Sequence, residues 1–195
     1  MLESKTCWIA DPLNYIIPIT DFEKEIISTA VFNRLHQILQ NSTVYLTYPS
    51  TRTSRFSHSL GVRHLAGDMF FAAFRNANQT SRKAILNEIT NELEAVGQSV
   101  TSHISKINKT EGPRKIPPNI ENCDPLLLNK IPAMVDPNDQ VNLCIAGQAI
   151  RIVGLLHDLG HPPMSHVVER AIGRIVNIVK SKPKERLNQK QKKFL

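Results

Sequence analysis

The sequence predicts an all-α protein, on three observations. Strand-like runs are scarce. Apolar residues recur at helical spacing through most of the chain. The 195 residues are 41% hydrophobic and 21% charged, enough to build a sizeable core. That composition excludes a globally disordered chain. No stretch approaches the roughly 20 apolar residues of a membrane span. The amino terminus, MLESKTCWIADP, lacks the basic-then-apolar order of a secretory signal. A cytoplasmic protein is expected, with no membrane partner. Cys7, Cys123 and Cys144 are odd in number and widely spaced, so they read as reduced thiols rather than a disulfide framework or zinc ribbon.

The elements follow in order. Thr20 and Glu23 have the spacing of a capping box, in which each side chain satisfies an amide at a helix start. Behind it Ile26, Ile27, Ala30, Val31, Leu35, Ile38 and Leu39 keep one apolar face. Val44-Tyr45-Leu46-Thr47-Tyr48-Pro49 is β-branched and aromatic, and Ser50 to Ser54 is polar, which predicts a short β-hairpin near 43–54. A helix is expected from about Ser57 to Arg75, with His58, Val62, Leu65 and Met69 on one stripe. Ile85, Ile89, Leu93, Val96, Val100, Ile104 and Ile107 alternate steps of three and four, the seam of a long amphipathic helix. Residues 108–139 carry six prolines and no sustained period, which predicts an insertion or a mobile flap. Asp139 to Leu156 reads as a central buried helix. Gly160, Pro162 and Pro163 end it, and a helix over about 163–180 should turn Val167, Val168, Ala171, Ile172, Ile175 and Val179 inward.

The formal charge is +7, and residues 180–195, KSKPKERLNQKQKKFL, hold seven basic residues and one acidic residue. That tail alone carries +6, so the rest of the chain carries +1. A charged tail of this kind is ordinarily a solvated or disordered end. It is also able to grip phosphate, so nucleic acid is a partner the sequence allows.

The chemistry concentrates in GLLHDLGHPPMSH, where His157, His161 and His166 fall within ten residues. A His-Asp pair closing an apolar helix is costly unless a charge compensates both groups, and a divalent cation does so. Imidazole nitrogen with carboxylate oxygen suits Mn, Fe, Ni, Zn or Mg. A plain helix C-cap is the alternative for one His-Asp dipeptide. In RFSHSLG, Arg55 and His58 lie about one turn apart at another helix mouth. An arginine there is able to clamp phosphate while the histidine ligates metal.

Four blocks then carry a family likeness: D-P-L-N-Y at Asp11 to Tyr15, F-N-R-L at Phe32 to Leu35, R-F-S-H-S-L-G-V-R-H-L-A-G at Arg55 to Gly67, and H-D-L-G-H-P-P-M-S-H at His157 to His166. In these the sequence resembles the HD-domain phosphohydrolases, and closely their deoxynucleoside triphosphate triphosphohydrolase branch, over about residues 11–75 and 140–179. The resemblance implies an HD-domain helical bundle that hydrolyses a dGTP-like substrate to deoxynucleoside and triphosphate. It makes His58, His157 and Asp158 metal ligands and Arg55 a phosphate contact. It places His161 and His166 beside the α-phosphate, one of them as general acid, and gives Gln40 to the sugar. Asn41 and Ser42 stand where the family is glycine-rich. His36, His64 and His103 match no functional position and default to core or surface roles.

The family's fourth ligand, an aspartate, and a further catalytic histidine come well after the His-Asp pair and are not found before Leu195. The resemblance therefore reads residues 1–195 as the amino-terminal portion of an HD domain, with an insertion at about 76–138 because the His58 and His157 blocks lie further apart than in compact members, incomplete at its C-terminus and with negligible turnover by itself. A nucleoside triphosphate is the expected substrate, with a homo-oligomer as a further expectation. The alternatives are an HD phosphohydrolase on another nucleotide or phosphoester, and a catalytically dead interaction or nucleic-acid-binding module on the same scaffold.

Overall fold

A computed structural model describes residues 7–11, 15–107, 123–164 and 166–181. The predicted all-α class holds, with one small antiparallel hairpin. In chain order the elements are β1 (Cys7–Asp11), β2 (Tyr15–Ile19), α1 (Asp21–Ile27), the short α2 (Ala30–Asn33), 3-10 turns at Arg34–Gln37 and Val44–Leu46, α3 (Arg55–Asn76), α4 (Gln79–Ile107), the short α5 (Pro125–Leu128), α6 (Pro137–Leu156) and α7 (His166–Lys180). The chain divides into two compact units: residues 1–26 with 60–156, and residues 27–59 with 157–195.

In the first unit, β1 pairs with β2 in a register that sets Cys7 against Ile19 and Asp11 against Tyr15. The capping box forms as the sequence predicts: Glu23 N–H donates to Thr20 Oγ1 at 3.3 Å and Thr20 N–H to Glu23 Oε2 at 3.0 Å. The core gathers Phe71, Phe74, Leu127, Ile131, Leu143 and Cys144, with Ile85, Leu86 and Ile89 of α4 packed on it. The α3 and α6 helices approach closely through glycine. A Cβ on Gly147 would run into the Phe71 ring, and one on Gly154 would stand 2.9 Å from Arg63 Cα.

This core also holds charge. Glu23, Arg63 and Arg151 are each 0% exposed. Glu23 accepts from Arg151 Nε at 2.8 Å, Arg151 Nη2 at 2.9 Å and Gln148 Nε2 at 3.1 Å, and it forms a close ion pair with Arg63. Such a cluster survives burial because both guanidiniums share the one carboxylate, which is saturated with donors, and Arg151 Nη2 also donates to Pro18 O.

In the second unit, Phe32, Leu35, Ile38 and Phe56 form the apolar centre, with Phe32 and Phe56 edge to face at 5.4 Å. Thr29 caps α2 by accepting from Phe32 N–H.

Several expectations are corrected. The hairpin lies at residues 7–19, not near 43–54. There Val44–Leu46 is a 3-10 turn, Ser42 has φ 50, and Leu39 and Ser54 form a lone bridge. Tight turn bonds such as Val44 N–H to Asn41 O and Tyr48 N–H to Val44 O consume the groups a strand ladder would need. On α3 the stripe of Leu65 and Met69 is exposed, at 53% and 70%, and the buried stripe runs through Leu60, Arg63, Gly67, Phe71 and Phe74. The apolar face of α7 is largely exposed too, including Val167, Ile172 and Ile175. That helix begins at His166, three residues later than expected, after the two prolines and a left-handed Met164 at φ 63.

The expected flap separates into two parts. Residues 108–122 lie outside the described residues, as does the basic tail from 182. From Asp124 onward the segment is packed structure: Asp124 caps α5 by accepting from Leu126 N–H at 2.9 Å, and Leu127 and Ile131 enter the core. Its prolines therefore start helices, at Pro125 and Pro137, rather than mark mobility. Among the described residues, no helix is long and apolar enough to cross a membrane.

Candidate metal centre

All the described site residues belong to the second unit. Arg55 and His58 stand on the first turn of α3, where Arg55 N–H donates to Ile38 O at 2.7 Å and His58 N–H to Ser54 O at 3.1 Å. His157 and Asp158 follow directly after α6, in a turn closed by His161 N–H donating to Asp158 O at 3.1 Å.

His58, His157 and Asp158 converge. Each offers a ligand atom, and these atoms lie within 4.8 Å of one another. The His58 and His157 rings meet edge to face with centroids 5.3 Å apart. Asp158 sits at the centre. Its Oδ2 is 3.7 Å from His58 Nε2, and its Oδ1 is 3.5 Å from His157 Nε2 and 3.7 Å from His161 Nε2. The carboxylate is almost buried, whereas the His58 and His157 side chains are about one-third exposed. Solvent therefore reaches the imidazoles while the charge is held beneath them.

The donor set fits a divalent ion. Two imidazole nitrogens and a carboxylate oxygen are ligands for borderline and hard divalent metals. Asp158 Oδ2 is held in an ion pair by Arg55, and each carboxylate oxygen has a second lone pair to give. Burial pulls His58 below the usual imidazole range. Asp158 opposes that shift, and His157 and Arg55 reinforce it. At neutral pH His58 is therefore unprotonated, the form that binds metal.

Two further residues shape the centre, and sequence reasoning had assigned neither a role. Arg34 reaches across to the turn, donating from Nη2 to Leu159 O at 2.5 Å and from Nη1 to His161 O at 3.2 Å. A planar guanidinium is suited to bridging two carbonyls in this way. Glu169, on the first turn of α7, places Oε1 3.4 Å from His161 Nδ1. His161 thus lies between two carboxylates. Arg34 stands within the F-N-R-L block, and Glu169 lies one helical turn after His166; those positions were the available signals.

The other candidates are placed differently. Arg55 is 3% exposed and ion-paired with Asp158. Gln40 N–H donates to Thr53 O, and its buried Oε1 has no hydrogen-bond partner. The side chains of His166 and His103 lie outside the described residues. His36 stacks on Phe56 with centroids 3.6 Å apart, and His64 lies 3.6 Å from Asp68, so both have structural neighbours.

No protein-family model matches the chain. Curated relatives do. The chain is 25% identical over 167 residues to the deoxynucleoside triphosphate triphosphohydrolase SAMHD1 homolog of Dictyostelium discoideum, covering 86% of this chain and 21% of that protein. To human deoxynucleoside triphosphate triphosphohydrolase SAMHD1 it is 26% identical over 176 residues, covering 90% of this chain and 18% of that one. An uncharacterised protein of Methanocaldococcus jannaschii is 35% identical over 81 residues, 42% of this chain and 18% of its own length. The chain spans about a fifth of the length of these relatives. Across most of its residues, this helical chain is distantly similar to deoxynucleoside triphosphate triphosphohydrolases.

Proposed function

We propose that the chain carries the metal centre of an HD-type phosphohydrolase that hydrolyses deoxynucleoside triphosphates, of which a dGTP-like nucleotide is one, to deoxynucleoside and triphosphate. The observation that carries this reading is the convergence of His58, His157 and Asp158, residues a hundred positions apart, into one ligand set. The distant similarity to enzymes of that name supports the substrate class.

A divalent ion held there, such as Mn, Mg, Fe, Ni or Zn, supplies a Lewis acid that polarises a phosphate oxygen and acidifies a water. The chain's own residues do the rest. The neutral imidazoles of His58 and His157 give nitrogen lone pairs, and Asp158 adds the negative charge. Arg55 balances that charge now, and its guanidinium turns to substrate phosphate when the ion pair opens. His161, between Asp158 and Glu169, is placed to hold a proton for the departing 5′ oxygen, a role it shares with His166 in this reading. Gln40 orients the sugar. A nucleoside triphosphate is the partner; nucleic acid at the basic tail and a second copy of the chain are additional proposals.

The ion pair between Arg55 and Asp158 favours one competing reading, a scaffold whose ligand carboxylate is permanently neutralised and which no longer turns over. Titration with Mn²⁺ separates the two. The proposed function expects stoichiometric binding, weakened more than roughly tenfold by His157→Ala, since loss of even an outer-shell partner commonly costs 10–100-fold. Release of triphosphate from a dNTP panel is measured in parallel. Absence of Mn²⁺ binding by the wild-type chain, or binding indifferent to His157→Ala and Asp158→Ala, sinks the metal assignment.

A further inference from the structure

The first unit contains a pair of sulfurs that the spacing of the cysteines did not reveal. Cys144 lies on α6 and is 3% exposed, within the cluster of Phe71, Phe74, Leu127, Ile131 and Leu143. Cys123 immediately precedes the cap of α5, is half-buried, and packs against that same cluster. The two side chains hydrogen-bond to one another, and both are thiols. Cys7, by contrast, sits on β1 opposite Ile19.

We propose that Cys123 and Cys144 are a modification site: they form a reversible intramolecular disulfide under a small-molecule disulfide oxidant such as oxidised glutathione.

The two sulfurs have different access, and that sets the order of events. Cys123 is reached from solvent, so its thiolate attacks the oxidant first. One glutathione thiolate leaves, and a mixed disulfide forms on Cys123. Cys144 Sγ, already in contact, then attacks the Cys123 sulfur. The second glutathione departs as thiolate and takes up the proton that Cys144 loses. Two protein thiols are oxidised, and one disulfide reagent is reduced to two thiols. Burial, with the neighbouring Cys123 adding to it, pushes the Cys144 thiol up. The second step is therefore slower than the first and quickens with rising pH.

The bond would close the loop of residues 124–143, which holds α5 and the start of α6. Cross-linking a loop of this size restricts the unfolded chain and raises the unfolding temperature.

The test incubates the full chain with a series of reduced-to-oxidised glutathione ratios, quenches with an alkylating agent, and maps the peptides by mass. The expected product is a linked Cys123–Cys144 peptide, with the intact mass lowered by two hydrogens and Cys7 alkylated. Cys144→Ala should accumulate glutathione on Cys123. If that core variant fails to fold, Cys123→Ser, at the half-buried position, should lose both the linked peptide and the rise in unfolding temperature on oxidation. The proposal is overturned if all three thiols remain alkylated at the most oxidising ratio. A glutathione adduct that persists on wild-type Cys123, or a disulfide that recruits Cys7, overturns it as well.

Discussion

Replacing Glu23 with alanine should be among the most damaging single changes in the chain. The carboxylate is 0% exposed and takes five donors: Thr20 N–H, Gln148 Nε2, Arg63 Nη2, and both Nε and Nη2 of Arg151. Summing five bond energies would overstate the loss, because neighbouring contributions are not additive. What decides the magnitude is that two guanidiniums, also 0% exposed, lose the carboxylate they share and cannot easily reach water. Breaking a buried pair from one side costs about 3–5 kcal/mol. At ~1.4 kcal/mol per decade, about 4 kcal/mol shifts the folded-to-unfolded ratio roughly a thousandfold. That is a large part of the ~5–15 kcal/mol that holds a domain together. Urea unfolding, followed by helix circular dichroism and by the fluorescence of Trp8, measures it. The matching variant replaces all three charges together, as Glu23→Leu with Arg63→Met and Arg151→Met. It should recover most of the loss, since apolar substitution of a whole buried ion cluster is often neutral or better. A Glu23→Ala cost under about 1 kcal/mol would refute the reasoning, because water would then have to reach the guanidiniums. So would a triple variant no more stable than the single one.

Three further outcomes are expected. Gly147→Ala drives a methyl group into the Phe71 ring and should cost about 1–3 kcal/mol of overpacking, whereas Gly97→Ala, with open space around it, should stabilise α4 by up to ~1 kcal/mol; melting curves of both compare them directly. Arg34→Gln removes the bridge to the carbonyls of Leu159 and His161, and with each bond worth about 0.5–1.5 kcal/mol, amide hydrogen exchange across residues 158–162 should accelerate roughly tenfold while the His58 amide is unchanged. Burial, with Asp21 and Glu23 adding to it, raises the Asp124 carboxyl above its ordinary 3.8 despite the bond from Leu126 N–H. The folded state thus binds more protons than the unfolded state between 3.8 and the raised value, so stability falls as pH rises through that window. Asp124→Asn, which keeps the capping acceptor, should melt higher than wild type at pH 7, with the difference closing below about pH 3.8; an undiminished difference at low pH would contradict this.

Local signals were legible where one segment supplies the whole answer. The capping box at Thr20 and Glu23, the long helix α4 and the apolar run of α6 are each decided within a few turns, although Val96 of the expected α4 seam is 53% exposed. The convergence of His58 with His157 and Asp158 was reachable only through motif likeness, since periodicity says nothing about which distant turns meet. The buried stripe of α3 was misread because it passes through Arg63. An arginine reads as surface until the residue that neutralises it is known, and the cap spacing of Glu23 says nothing of a further partner. The hairpin is misplaced for a different reason: strand composition at 44–48 is outweighed by turn bonds, while β1 and β2 flank Pro12-Leu13-Asn14, whose Asp-Pro start and asparagine are turn signals in the sequence itself. Arg34 is exposed and its guanidinium donates to carbonyl oxygens, so no side-chain pattern could announce these partners.

The distance along the chain between His58 and the His157–Asp158 pair also sets a schedule for synthesis. During translation at about 5–20 residues per second, His58 precedes His157 and Asp158 by roughly 5–20 seconds. Throughout that interval the nascent chain offers a solitary imidazole from the proposed metal centre, far too weak a chelator to retain a divalent ion. Arg34 and Glu23 wait in the same way, for the carbonyls at 159 and 161 and for the guanidinium of residue 151. The site and the charged core therefore have a common gate: neither can assemble before α6 has been made.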